Sequence, residues 1–359
     1  MNEDKASRYN RLKRRAAVAS LALTGAFLAG LLATGASGRL RDATGGLGLY
    51  VVVLVLAHEA LTLPLAFYSG WLLERRYGLS AIPISSWLRD HAKALGVGLV
   101  FSLLGAFVLY ASEWLLGRLW WAGVAAVFSL VAITITHLAP VLLLPLFYEF
   151  KPLDRPGLTA RLLELSRAQG IKTLGVFEWG LGEKTTKANA ALVGLGATRR
   201  IILADTLLAN YSDDEIEVIL AHEVGHHVHR DLWMAIAFES ALAFAGAFVA
   251  DWVFRAIGPR LQIRGVIDPA GLPLLLLGAG AVSLALVPLA NALSRHAERR
   301  ADRFALALTN RPDAFISAMR RLGAQNLAEE HPSRLIRALF YTHPPIPERV
   351  AAARAFSGG

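Results

Sequence analysis

Six long, predominantly apolar runs constrain this chain more than any other feature: 16–34, 47–68, 95–117, 120–146, 232–256 and 271–291. A helix needs roughly 20 such residues to cross a bilayer, so each run reads as a transmembrane helix. A water-soluble core able to bury six of them is far too large for 359 residues. Composition agrees, with 55% hydrophobic and 18% charged residues against about 45–50% and about 25% in an average globular domain. The same numbers exclude a disordered chain, which needs low hydrophobicity. The absence of cysteine excludes disulfide frameworks, thiolate metal sites and cysteine nucleophiles. Any metal is left to His, Asp and Glu.

The net charge of +9 would suit nucleic-acid binding, but its distribution has a simpler cause. Lys and Arg concentrate in the N-terminal tail, the 71–94 loop, 147–231 and 292–359. The alternate loops hold only Arg39, Arg41, Arg118, Arg255, Arg260 and Arg264. Six spans with both ends inside place every basic segment in the cytosol, and no nucleic-acid partner is needed. Arg11, Lys13, Arg14 and Arg15 before the first run also fit a cleaved signal peptide, although the run is long for one. The excess of Arg over Lys points to a GC-rich bacterial genome, hence a cell (inner) membrane location. The expected fold is mainly α: a polytopic helical bundle or barrel of about six spans with a small cytosolic α+β region.

The domains divide accordingly into 1–146 with four spans, a cytosolic 147–231, two spans in 232–291, and a cytosolic helical 292–359. Within 147–231 a helix is expected over 158–169, ending at Gly170. Strands are expected at 174–179, 190–195 and 200–203. Ser212-Asp213-Asp214-Glu215 reads as a capping box opening a helix.

That helix carries Ala221-His222-Glu223-Val224-Gly225-His226, an H-E-x-x-H pattern. Residues four apart share a helix face, so His222 and His226 can grip one Zn2+ ion, with Glu223 beside it as general base toward a water. His229 lies about 10 Å further along the axis at 1.5 Å per residue, too far to join them, and is expected near the site or on the surface. The third ligand must come from elsewhere. Glu298 and Asp302, four apart after the last run, are candidates, though an ordinary salt-bridged helix among arginines accounts for them as well. Glu239 and Asp251 compete but lie inside a span. His58-Glu59 has Thr62 where a second histidine would stand, so it is no second zinc motif and is read as lining a polar cavity.

With S-R-x-x-E-x-x-A-D at 294–302, the H-E-x-G-H pattern resembles the Ste24-type CAAX prenyl protease family of gluzincin membrane peptidases. Four further stretches are similar in the family's order. They are Leu73-Glu74-Arg75-Arg76-Tyr77-Gly78-Leu79, Pro145-Leu146-Phe147 with Pro152-Leu153, Lys187-Ala188-Asn189-Ala190, and Tyr341-Thr342-His343-Pro344-Pro345 with Glu348-Arg349. The resemblance implies one Zn2+ per chain held by His222, His226 and Glu298, Glu223 as catalytic base, and Asp302 behind a ligand. It places Asn189 and His343 at the cleft, and its 348–349 match puts Arg349 with the substrate. It also implies a membrane zinc endopeptidase acting on a protein or peptide substrate that is membrane-anchored or prenylated. Family members resemble seven-helix barrels, so six spans here mean one fewer at the N-terminal end. In zinc peptidases the substrate commonly lies along a strand edge; Asn189, Ala190 and Ala191 form the best edge, unless that strand is interior. The competing class is a non-catalytic transporter or scaffold with a structural zinc, but an intact Glu223 and only three ligands favour the enzyme.

Overall fold

In hydrocarbon a backbone N–H or C=O finds no partner except within its own helix, and the apolar runs fold accordingly. The computed structural model describes residues 4–194 and 196–357. Its N-terminal part contains α1 (Lys5–Ala33), the short α2 (Ala36–Thr44), α3 (Leu47–Phe67), a π-type turn leading to α4 (Leu73–Arg76), α5 (Ile84–Leu116) and α6 (Trp120–Leu142). Among the described residues, five helical stretches are long and apolar enough to cross a membrane. The third, Ile84–Thr136, turns back through Gly117–Leu119 into the packed pair α5 and α6. Side chains that would be a liability in water, such as Trp114 at 82% exposure, suit a lipid boundary.

A soluble unit follows: β1 (Phe150–Pro152), α7 (Pro156–Ala168), β2 (Val176–Trp179), β3 (Ala190–Val193), β4 (Arg200–Ala204), α8 (Asp205–Asn210) and α9 (Asp213–Val228). The chain then re-enters the bundle as α10 (Asp231–Ile257) and α11 (Leu272–Thr309), and ends with α12 (Pro312–Gln325), α13 (Arg334–Phe340) and α14 (Ile346–Ser357). The sheet order is β1-β2-β4-β3. β2 and β4 are parallel, while β1 and β3 run antiparallel to their neighbours. β3 is therefore an edge.

Three sequence expectations shift. β1 was not foreseen, because its Phe-Lys-Pro is too short to show alternation. Of the strand expected at 190–195, Ala190–Val193 is observed, and Leu195 lies outside the described residues. The expected border at 291/292 falls inside α11. That helix has 38 residues, roughly 57 Å at 1.5 Å each, against a hydrocarbon core of about 30 Å. Hydropathy ends where lipid ends, but helical hydrogen bonding does not, so α11 continues into the soluble unit. A single core joins the two segments outside the bundle: Leu162, Ile201, Leu203, Ile216 and Leu220 pack with Leu306, Phe315 and Ala353. In the bundle, α3, α5, α6, α10 and α11 border an apolar cavity of about 490 Å³ that Glu239 also lines.

Candidate metal centre

Helix α9 starts where its sequence says it should. Ser212 Oγ accepts from Glu215 N at 3.3 Å, and Glu215 Oε2 accepts from Ser212 N at 2.8 Å, which closes the capping box. From that start, His222 and His226 fall on one face, turned toward α11. The helices approach closely because position 225 is Gly: a Cβ there would stand 3.1 Å from the Ala301 Cα. α11 presents Arg295, Glu298 and Asp302 at i, i+3 and i+7, one stripe of the helix, and all three are buried.

The stripe completes a group of three ligand residues. His222 Nε2 and His226 Nε2 are 3.1 Å apart. Each lies 3.3 Å from a Glu298 oxygen, Oε2 and Oε1 respectively. Tetrahedral ligands at about 2.0–2.1 Å from zinc stand roughly 3.3 Å from one another, so the spacing fits one small cation. The orientation of the rings agrees. His222 Nδ1 faces Asp302 Oδ1 at 2.8 Å, and His226 Nδ1 faces Asp231 Oδ2 at 2.9 Å. A carboxylate at Nδ1 selects the Nδ1–H tautomer and leaves Nε2 as a lone pair. Two lone pairs at 3.1 Å repel unless a cation lies between them. The buried Glu298 Oε2 has no hydrogen-bond donor, which also fits a metal ligand.

Glu223 shares a cleft with these groups; its wall includes Ala188, Asn189, Ala190, Glu298 and His343. Burial pushes the Glu223 carboxyl above the usual carboxylate range, toward the neutral values that suit a general base. Burial lowers the His222 imidazole, but Asp302 and Glu298 outweigh it and raise the ring to about 9. That preference for positive charge is the preference a metal ion would satisfy. His343 stands exposed over the ligands, with Nε2 3.3 Å from Glu298 Oε1. Its loop is held by Arg295, whose Nη1 donates to Arg337 O at 3.0 Å and Tyr341 O at 2.6 Å.

Arg349 stands differently from expectation. Although its residue borders the cleft, its guanidinium is buried and grips Asp302, Nε donating to Oδ2 at 2.8 Å and Nη2 to Oδ1. It acts on His222 through Asp302. His229 caps α9, with Nδ1 2.7 Å from Gly225 O and its ring against Phe304, away from the ligands. Asp231 was missed altogether. Arg230 carries the chain between α9 and α10 at φ 59°, a left-handed turn that an Arg does not advertise. Only that turn returns Asp231 to His226.

A buried two-His, one-Glu cluster with an adjacent carboxylic base, on helices that continue into a membrane bundle, defines a membrane-embedded metallopeptidase. Residues 152–357 match peptidase family M48, and residues 3–149 match the CAAX prenyl protease N-terminal region, described as five membrane helices. The chain belongs to peptidase family M48. It is similar to the uncharacterized metalloprotease YhfN of Bacillus subtilis, at 31% identity over 85% of this chain and 72% of that one. CAAX prenyl protease 1 of Saccharomyces cerevisiae is 27% identical over 81% of this chain and 68% of its own length. The crystal structure of S. mikatae Ste24p superposes with a TM-score of 0.83 over 97% of this chain and 87% of that one, at 21% identity. Four long apolar helices, α1, α3, α5 and α6, occupy the region that the N-terminal match describes with five. The chain is a multi-pass membrane metallopeptidase, and nothing favours a non-catalytic scaffold.

Proposed function

We propose that the metal is zinc, held by His222, His226 and Glu298, and that the enzyme cleaves membrane-anchored peptides at the cytosolic face. The observation that carries this is the trio of ligand atoms 3.1–3.3 Å apart, with each imidazole backed by a carboxylate. Zinc, when bound, acidifies a ligated water and polarises the scissile carbonyl. Glu223 takes the water's proton and returns it to the departing amine. His343, exposed above Glu298, is placed to donate to the oxygen that becomes negative in the transition state.

The substrate lies along β3. Ala204 N donates to Asn189 O, and the register pairs Ala190 with Leu203 and Ala191 with Ile202. Antiparallel alternation then turns the N–H and C=O of Ala190 and Leu192 to the open edge, and those of Ala191 toward β4. Ala190 and Leu192, rather than Ala191, would bond a peptide. The cytosolic assignment rests on the basic loops together with α1. Arg14, near the start of α1, meets Glu329 at 2.5 Å and the Tyr341 hydroxyl at 3.0 Å, so the N-terminus lies at the catalytic end. Similarity to CAAX prenyl protease 1 supports a lipid-bearing substrate, and the bundle cavity would receive its chain.

Metal analysis combined with cleavage of a prenylated and an unprenylated peptide tests this reading. We expect one zinc per chain, chelator-sensitive cleavage restored by zinc, and a lower KM for the prenylated peptide. Chelator-insensitive cleavage would overturn the metal assignment, and equal KM values would overturn the substrate class. A cysteine at the exposed position 172 should react with impermeant reagents only after cells are opened; labelling of intact cells would reverse the topology.

A further inference from the structure

Two stretches singled out in the sequence have no part in the reaction as described: Leu73-Glu74-Arg75-Arg76-Tyr77-Gly78-Leu79, and Lys187 in the approach to β3. In the structure they meet. Glu74 is 8% exposed and sits where α4 leaves the membrane bundle. Its Oε1 accepts from Lys13 Nζ at 2.7 Å and from the Tyr9 hydroxyl, both on α1. Its Oε2 accepts from Lys187 Nζ at 2.9 Å. Burial pulls the Lys187 ammonium below its ordinary range, and Glu74 opposes that. Glu74 thus offsets part of the cost of burying the Lys187 charge.

The backbone around this ion pair is tied at both ends. After α4, Gly78 at φ +74° turns the chain so that Leu79 O accepts from Thr186 N at 2.9 Å and from Thr185 Oγ1 at 2.8 Å. On the other side the Asn326 amide brackets Ala188, Oδ1 accepting from its N–H at 3.1 Å and Nδ2 donating to its C=O at 3.2 Å. Ala190, the first edge residue, is three positions beyond Lys187. An added peptide strand is held by backbone hydrogen bonds to the strand it joins, so a shift of that strand weakens the hold on the peptide.

We propose that Glu74, through Lys187, is a positioning residue for the peptide-binding edge, fixing the start of β3 against the membrane helices α1 and α4. The inference rests on the β3 reading above and adds to it the element that holds the edge in register. It also gives the first membrane helix a part in peptide binding, because Tyr9 and Lys13 complete the coordination of the same carboxylate.

The test uses the full-length, metal-loaded protein in detergent and steady-state cleavage of one peptide. Lys187→Met and Glu74→Gln should each raise KM about tenfold, the equivalent of about one weakened peptide hydrogen bond, with kcat and metal content nearly unchanged. The double variant should be no worse than either single one, since both remove the same contact, and Lys187→Arg should restore KM. Unchanged KM, additive effects, or a fall in kcat alone would overturn the proposal. If Glu74→Gln fails to fold, the partly exposed Lys187 still decides through the Met and Arg variants. Ala190→Pro separates the two readings, because it removes an edge-facing donor while sparing the ladder to β4. Unchanged KM in Ala190→Pro discards the edge itself. Raised KM there, with normal KM in Lys187→Met, discards only the role of Glu74.

Discussion

Helix α11 is used twice, and its two halves differ in what close packing accomplishes. In the membrane half, Gly278 lies against α10, where a Cβ would stand 3.0 Å from the Ala250 Cα. In the half outside the bundle, Ala301 receives Gly225 of α9 at almost the same distance, 3.1 Å. The device is one small residue per crossing. In lipid it serves van der Waals contact, since there is no hydrophobic drive between helices. In the soluble unit it sets the spacing between the ligand nitrogens of α9 and the Glu298 carboxylate. Equal crowding should therefore have unequal consequences: stability in the bundle, chemistry at the site.

The largest expected effect lies wholly on the catalytic side. Glu223→Gln removes the proposed base and should lower kcat by about 10²–10⁴ while metal content, read by elemental analysis, stays at one per chain. Undiminished cleavage would break the mechanism. Next comes the shell behind the ligands. Asp302→Asn should weaken metal affinity by about 10–100-fold in a chelator competition. Asp251, equally buried in the bundle and bonded to Trp120 Nε1 at 2.7 Å, is the control: Asp251→Asn should leave metal affinity alone.

The two glycines sharpen the contrast directly. Overpacking typically costs about 1–3 kcal/mol, so Gly225→Ala and Gly278→Ala should lower thermal stability comparably. Gly225→Ala should also lose metal affinity and cleavage, whereas Gly278→Ala should cleave normally at a permissive temperature. Loss of cleavage in both would mean that the crossings are not independent. The smallest effect is electrostatic. Burial raises the Glu215 carboxyl, but bonds from Ser317 and the Ser212 backbone, with Arg321 nearby, outweigh it and leave it below its ordinary range. A depressed folded value gives stability above the unfolded value of about 4.3, lost as pH falls through the folded value. Glu215→Gln should flatten that acid dependence in the soluble unit and leave helix content in the bundle unchanged; a steeper dependence would reassign it.

The sequence by itself determined whatever depends on local composition. The apolar runs mark the membrane helices, since a span must be apolar along its whole length. Ser212 to Glu215 fixes the start of α9, because a capping box is complete within four residues. Glu223 and the two histidines share a helical turn, so their juxtaposition is a matter of backbone period alone. Tertiary structure decided everything that needs two distant segments to touch. Glu298 could not be told from an ordinary salt-bridged residue until α11 lay against Gly225, and only family resemblance marked it beforehand. Asp231 reached His226 through a left-handed Arg230 that no propensity signals. Arg349, on α14, met Asp302 because that helix packs behind the site. β3 became an edge only through the order of strands, and the register with β4 turned the backbone groups of Ala190 and Leu192, not those of Ala191, to the open side. Spacing along a chain fixes angle and rise within one element. Which elements meet is set by the shared core and by the few close contacts that its shape allows.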